Sequence, residues 1–392
     1  MGSKILFVSH ESSVNGATRS LVSLIQGIKE ISNIEVEVVI PYSIGSTARE
    51  LLKQSGIKYK EFFYRRDYKN VLKKYTLKEH IYDVLNSLAA RRINYYMRKK
   101  KIDMVCSNSV GTDVGARAAR MAKLPHIYYV REFMEEDYGF EFRNKDRMKY
   151  LLEASDCVIF ISKSIQEKYT NQYCLKEYTT FFNGFIIENY FIPDHRIMQK
   201  EIVKIIQVGT LCDGKGTGKS LETIKELKDK GIENFCVEFI GNGTAEYIAT
   251  LQKYIHENNL ESLVQLSGYC KQIKDKMMAS DILLMNSRAE GFGRVTVEGM
   301  LGGLLVIGRN SAGTAEIIQD GRTGLLFNTD EELDQLLQKV LNDPKRYCGI
   351  ACQGQTWAVN TFECKNVAKK FMDFVGIQES GTNEKGNTDN QN

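Results

Sequence analysis

The sequence predicts an α/β protein built as two doubly wound domains, and three observations carry that prediction. Short apolar runs rich in Val, Ile, Leu and Phe recur between stretches of helical periodicity, the pattern of parallel strands joined by helices. The series pauses at a polar, proline-containing stretch, residues 190–201 (YFIPDHRIMQKE), and starts again at Val203. A length of 392 residues is enough for two separate cores.

The elements follow in order. Residues 4–9 (KILFVS) read as a short buried strand, and the loop HESSVNGATRS leads to an amphipathic helix over about 21–31. Gly16 in that loop suits either a turn approaching a phosphate or an ordinary tight strand-to-helix turn. A second strand at 34–40 and a helix at 48–55 follow, and the alternation continues through strands at 104–107, 127–130 and 157–161. After the linker, strands at 203–208, 236–240, 264–266, 282–285 and 304–307 repeat the pattern, with a helix at 271–280 before the fourth. Residues 313–316 (GTAE) read as a tight turn before a helix, and 321–327 (GRTGLLF) as a closing hairpin or strand. The last helix is expected over about 356–374, and the tail 379–392 has no apolar residues to bury and is expected to be disordered.

One stretch concentrates the chemistry. Residues 280–308 (SDILLMNSRAEGFGRVTVEGMLGGLLVIG) read as buried strand, polar loop, Gly-flanked turn, helix and strand. Glu290, Arg294 and Glu298 stand four apart, so Arg294 and Glu298 share a helix face with Glu290 just before it. Two carboxylates and a guanidinium thus gather at a helix start, where free N–H groups favour an anion. Open α/β sheets bind ligands at this kind of place, beyond the carboxyl ends of parallel strands.

A Glu, seven residues, then a Glu, written here EGFGRVTVE, resembles the signature of the family-4 retaining glycosyltransferases with the GT-B fold. The segments VGTLCDGKG (208–216), GNG (241–243), SGY (267–269), NSAGTAEII (310–318) and GRTGLLF (321–327) occur in the family's order. The resemblance spans most of residues 1–375 and is closest over 200–330. It implies two Rossmann-like doubly wound domains facing across a cleft: 1–190 binding the acceptor and 191–355 binding a nucleotide sugar. A helix at 356–376 would cross back to the first domain, with a disordered tail at 377–392. It also implies a retaining transfer of a hexosyl unit, without a cofactor or metal, from a nucleotide sugar (a UDP-sugar is expected) to a saccharide. In the family's pattern Lys215 opposes the leaving diphosphate, Glu290 holds donor-sugar hydroxyls and Glu298 takes the ribose hydroxyls. The Gly291, Phe292 and Gly293 amides assist, the turns at Gly16, Gly209, Gly241 and Gly243 face the donor, and Tyr269 lies near the base. The chain departs from the pattern twice. Thr210 stands where the family has an Arg, a loss that Arg294 is expected to make good unless it only pairs with Glu298. Arg131 and Glu132 stand where many members have a His, with His126 as a structural residue. The Asn183–Gly184 turn is where the family closes its first domain. These departures keep open a non-catalytic partner subunit of the same fold, and the architecture also admits a sugar-nucleotide epimerase.

DGKGTGKS (213–220) imitates a phosphate-binding P-loop, but the pattern needs a Gly where Asp213 stands, and no strand ending in a magnesium-binding Asp follows. The nine cysteines show no pairing or metal spacing; Cys348 and Cys352 lie one helical turn apart without a His nearby and read as plain thiols.

Residues 58–101 hold fourteen lysines and arginines against four acids, in a chain of net charge +4. Tyr and Leu are interleaved with them, as on helices lying on anionic membranes, although a solvated basic face has the same composition. No recognised DNA or RNA module accompanies the patch, so nucleic acid is not an expected partner. A membrane contact fits a lipid-linked saccharide acceptor in cell-envelope or capsular polysaccharide synthesis. The sequence runs straight into a strand without signal-peptide architecture. The expected place is cytoplasmic, peripheral on the inner face of the plasma membrane.

Overall fold

A computed structural model describes residues 3–71, 77–135, 139–193, 197–199 and 201–376; the expected disordered tail lies outside them. The first half runs β1 (Lys4–Val8), α1 (Gly16–Ile31), β2 (Glu35–Pro41), α2 (Thr47–Gln54), β3 (Lys58–Phe62), β4 (Tyr68–Asn70) and α3 (Leu77–Lys100). It continues with β5 (Met104–Ser107), α4 (Val114–Ala122), β6 (His126–Val130), β7 (Phe140–Phe142), α5 (Lys145–Ala154), β8 (Cys157–Phe160), α6 (Lys163–Gln172) and β9 (Tyr178–Thr180). Seven of these strands form one sheet in the order β3-β2-β1-β5-β6-β8-β9, every pairing parallel. β4 and β7 form a separate antiparallel pair that the sequence pattern did not disclose.

The second half runs β10 (Val203–Val208), α7 (Thr217–Asp229), β11 (Phe235–Ile240), α8 (Ala245–Glu257), β12 (Val264–Leu266), α9 (Ile273–Met278) and β13 (Ile282–Met285). Then come α10 (Arg294–Leu301), β14 (Leu305–Arg309), α11 (Ala312–Ile317), β15 (Leu325–Phe327), α12 (Asp330–Asn342), α13 (Cys348–Phe362) and α14 (Cys364–Phe374). Its six strands are parallel in the order β12-β11-β10-β13-β14-β15. In both sheets the chain first winds outward one way and then crosses to the other side, so β1/β5 and β10/β13 are the switch points where a crevice opens. The fold is the two-domain α/β architecture that the sequence predicts.

Four local expectations are corrected. α1 starts at Gly16 rather than near Leu21, because the Asn15 side chain accepts from Thr18 N at 3.0 Å and caps it. The basic stretch 58–101 is not helical throughout: β3 and β4 precede α3. Residues 313–316 lie inside the helix α11 rather than in a turn before it. The single terminal helix is two, α13 and α14, broken at Glu363, whose ψ of 133° is extended.

That break has a cause in the packing. Phe185 N donates to Phe362 O at 2.7 Å and Cys364 N donates to Phe185 O at 2.8 Å, so the crossover strand from the first half threads through the gap between the two helices. α14 then lies along α1, close enough that a Cβ at Gly27 would sit 2.3 Å from Cys364 O. Only Gly permits that approach. Phe371 is fully buried and meets the Phe7 ring at 5.9 Å. Truncating it removes an aromatic from a close-packed seam. Phe371→Ala is expected to lower stability by about 3–5 kcal/mol, read as a shifted urea midpoint at unchanged helix content.

Candidate functional site

The site forms at the second switch point, where β10 and β13 end. Beyond β10 the chain makes a single 3-10 turn, Asp213–Lys215, before α7. A buried polar chain holds that turn in place. Gln207 donates to Lys215 O at 2.8 Å, Ser220 donates to Gln207 Oε1 at 2.7 Å, and Asn286 donates to Ser220 Oγ at 3.0 Å. Fully satisfied buried networks of this kind fix one geometry. The P-loop resemblance is resolved here. Lys219 points outward and pairs with Glu222 at 2.5 Å, whereas Lys215 is the lysine turned into the site.

Lys215 Nζ lies 2.6 Å from Glu290 Oε1, and Ser287 donates to the same oxygen at 2.7 Å. The backbone of Glu290 accepts from Gly313 N at 2.9 Å, tying the loop to α11. α10 then opens at Gly293, whose φ of +88° is left-handed, and no side chain caps it. Thr296 N in its first turn donates to Gly293 O at 3.0 Å; a helix start without a side-chain cap favours an anion.

Glu298 lies about one turn into α10, buried. Burial raises its carboxyl pKa, and Arg294, Arg19 and a hydrogen bond from Tyr190 oppose that rise. It borders a cavity of about 680 Å³, with Gly209, Thr210, Gly241, Gly243 and Tyr269 along the carboxyl ends of β10, β11 and β12. A small recess shares Gly209 and Thr210 with this cavity and has Lys215 in its wall. Gly241 is a steric requirement: a Cβ there would fall 1.8 Å from Gly209 O. Tyr269 is exposed on the far lip.

Two expected contacts are placed differently. Phe292 is buried among Phe182, Phe185 and Phe362 at centroid distances of 5.7, 6.4 and 6.0 Å. Its side chain belongs to the seam between the halves, and neither it nor Gly291 or Gly293 lines the cavity or the recess. Arg294 does not line the cavity. Its guanidinium lies over the Phe185 ring at 4.2 Å, donates to Ser20 Oγ at 2.7 Å and stands 3.4 Å from both Glu298 Oε1 and Tyr190 OH. The i+4 pairing is thus formed, and Arg294, expected to make good the Arg missing at Thr210, is held away from the cavity. Arg19, on the first exposed turn of α1, lines the cavity beside Glu298. The sequence carried a signal for it, a basic residue three places after the capping Asn15–Gly16. Gly16 itself packs toward Arg294: a Cβ there would lie 3.3 Å from Arg294 Cδ.

Across the cleft, the ends of β1, β5 and β6 present a second polar cluster. Arg131 is buried, stacks on Tyr129 at 4.1 Å, donates to Asn108 Oδ1 at 2.9 Å and bonds Asn183 Oδ1. Glu132 accepts from Ser109 Oγ. Glu11 pairs with Arg66 at 2.5 Å beside His10, two positions that sequence reasoning passed over because nothing in a lone HE pair after a strand marks them. His126 sits at the opposite end of β6, between Ser107 Oγ at 2.9 Å and Ser155 Oγ at 2.8 Å, a structural placement.

Comparison with known proteins agrees with this geometry. Residues 192–356 match the family described as Glycosyl transferases group 1. The chain is 25% identical over 300 residues to an uncharacterised glycosyltransferase of Methanocaldococcus jannaschii, covering 71% of this chain and 77% of that one. It is 33% identical over 183 residues to a 41.2 kDa protein of the cps region of Klebsiella pneumoniae, covering 45% and 46%. Among solved structures, Anabaena HepE in complex with UDP and glucose superposes with a TM-score of 0.77 at 19% identity, over 96% of this chain and all of the other.

Burial holds His10 and His126 neutral, each with its pKa pushed down to about 3. The unfolded chain therefore binds more protons than the folded one between the ordinary value and 3. The stability these rings contribute is present above about pH 6.5 and is lost as pH falls toward 3. Each contributes a slope of up to roughly 1.4 kcal/mol per pH unit. His126→Gln is expected to flatten the fall in urea midpoint between pH 6.5 and 5 relative to the parent.

Proposed function

We propose that this chain, which has the GT-B fold and matches the Glycosyl transferases group 1 family over residues 192–356, performs a retaining transfer of a hexosyl unit from a UDP-sugar to a lipid-linked saccharide. The reaction class, moving a sugar from a nucleotide sugar, is supported by the group 1 match. The observation that carries the finer reading is that Glu298 and Arg19 share one cavity at the switch point, next to a recess walled by Lys215, which pairs with Glu290.

Transfer breaks the bond between the sugar C1 and the diphosphate oxygen and forms one from C1 to an acceptor hydroxyl. Positive charge grows on the ring and negative charge on the diphosphate, and a catalyst binds that separation better than it binds the donor. Arg19, Lys215 and the uncapped start of α10 meet the negative side without a metal ion. Glu298 accepts from the vicinal ribose hydroxyls, a task for an ionised carboxylate with two oxygens. Glu290, aimed by Lys215 and Ser287, holds sugar hydroxyls next to the reacting carbon. Arg294 stays outside the cavity and acts by orienting Glu298. The acceptor hydroxyl enters from the polar cluster of the first half, where Arg131 and Glu132 are positioned, and its proton leaves with the departing diphosphate.

The uridine assignment is supported by HepE, which was solved with UDP and glucose. The polysaccharide setting is supported by the relative from a cps region. The test is a thermal-shift panel of UDP, GDP, ADP and their sugars, run on the parent chain and on Glu298→Ala. UDP and UDP-sugars are expected to raise the melting temperature by mass action, and the variant is expected to lose the shift. No shift with any nucleotide would sink the donor assignment. A shift with UDP but no turnover of labelled UDP-sugar on lipid-linked acceptors would leave a non-catalytic partner instead.

Arg19→Ala removes a charge-assisted contact worth about 1.5–3 kcal/mol, so UDP affinity is expected to fall by roughly 10- to 100-fold. Arg294→Ala, by contrast, is expected to act on thermal stability as well as on affinity. Turnover is expected to persist in excess EDTA.

A further inference from the structure

We propose that the outward face of α3 is a docking surface for an anionic lipid bilayer, and this inference does not depend on the donor assignment. α3 has two opposed apolar faces. Ala89, Ala90, Ile93 and Met97 are buried against the first sheet and α4. At 3.6 residues per turn, Leu77, Ile81, Val84, Leu88 and Tyr95 fall within an arc of about 60° on the opposite side. They are 76%, 51%, 60%, 47% and 70% exposed. Scattered apolar residues on a surface are ordinary, but five in register along one outward line are a patch that calls for an occupant.

Charge selects that occupant. Residues 77–101 hold seven lysines and arginines against two acids. Arg91, Arg92, Arg98 and Lys99 flank the stripe within about 60° of it, all exposed. Asp83 is engaged by Arg147 at 3.0 Å. A second copy of this chain laid stripe to stripe would bring two such basic borders together, whereas a bilayer of anionic phospholipids offers hydrocarbon to the stripe and phosphate to the border.

Position in the fold adds to the case. α3 precedes β5 and runs back against it, so its first half, which carries Leu77 to Leu88, lies level with the carboxyl ends of the strands. Asn86 in that half clamps the backbone of Arg65 through both its N–H, at 2.8 Å, and its carbonyl, at 2.9 Å. The next residue, Arg66, pairs with Glu11 at the end of β1. The stripe therefore sits at the mouth of the acceptor side of the cleft. A lipid-borne acceptor would reach that side from the surface on which α3 rests.

The experiment floats the full chain with phosphatidylcholine vesicles, with and without one-third phosphatidylglycerol, at low and at molar salt. Binding is expected with the anionic vesicles only, and it is expected to fall at high salt. Ile81→Glu combined with Leu88→Glu is expected to abolish flotation while leaving the melting temperature and its response to UDP unchanged, since both side chains are exposed. Arg91→Gln with Arg92→Gln is expected to weaken binding to anionic vesicles by about tenfold or more. No flotation of the parent, or flotation indifferent to the glutamates, would overturn the proposal. So would a dimer in solution that the same glutamates split into monomers without the parent ever binding vesicles. Loss of UDP response with flotation intact would instead count against the donor site and leave the docking surface standing.

Discussion

A single guanidinium joins the parts of this molecule that must act together. Arg294 belongs to the second half, yet its ring partner Phe185 lies in the crossover and its hydroxyl partner Ser20 lies on α1 of the first. Its remaining charge faces Glu298, the carboxylate of the cavity. A buried cation is tolerated only where its surroundings satisfy it, and removing one partner leaves the others uncompensated. The relative placement of α1, the crossover and α10 is thereby coupled to the orientation of Glu298. Arg19 enters the cavity from the same helix that carries Ser20, so one end of α1 supplies both a partner for the anchoring arginine and a cation in the cavity wall.

The second tie between the halves is polar in a different way. The Glu316 carboxylate, on α11, accepts from Lys163 N at 2.7 Å and from Ser164 N and Oγ at 2.9 and 2.7 Å. It therefore sits on the first turn of α6, where orphan amides and the helix dipole favour an anion. The α14 seam against α1 closes the far side with apolar contacts. One seam is a cation on an aromatic ring, one is a carboxylate on a helix start, and one is close packing through Gly27. They place the two switch points opposite each other, which is what a donor on one side and an acceptor on the other require.

Strands were legible because fully buried parallel strands are short, uninterrupted apolar runs, and those named from the sequence lie within two residues of their place, except the closing one, expected over 321–327 and found at Leu325–Phe327. The candidate site was legible for the same reason: Glu290, Glu298 and Lys215 belong to segments that follow strands the pattern had already located. What escaped were features decided by partners distant in sequence. Nothing local at Glu363 announces a helix break; the break exists because Phe185 pairs there. Arg294 read as a phosphate ligand because its position on α10 is right, but Phe185 and Ser20, 109 and 274 positions away, claim it. β4 and β7 are three residues each and separated by 69 positions, too short and too distant for periodicity to find.

α3 shows how a true signal can also be averaged away. An amphipathic helix is recognised by an apolar side and a polar side, and a helix with apolar residues on two opposite sides cancels its own asymmetry. Composition alone registered the basic excess of residues 58–101 without locating it. Once the sheet claims Ala89, Ala90, Ile93 and Met97, the residues left over resolve into a second face with its own order. The leftover face is informative because the first has been assigned. Leu77, Ile81, Val84 and Leu88 are not required by the core, yet they keep the spacing of residues that bury something. A solvated helix has no physical reason to hold that register for three turns, and the basic border beside it has no reason to be so one-sided, unless both meet the same surface.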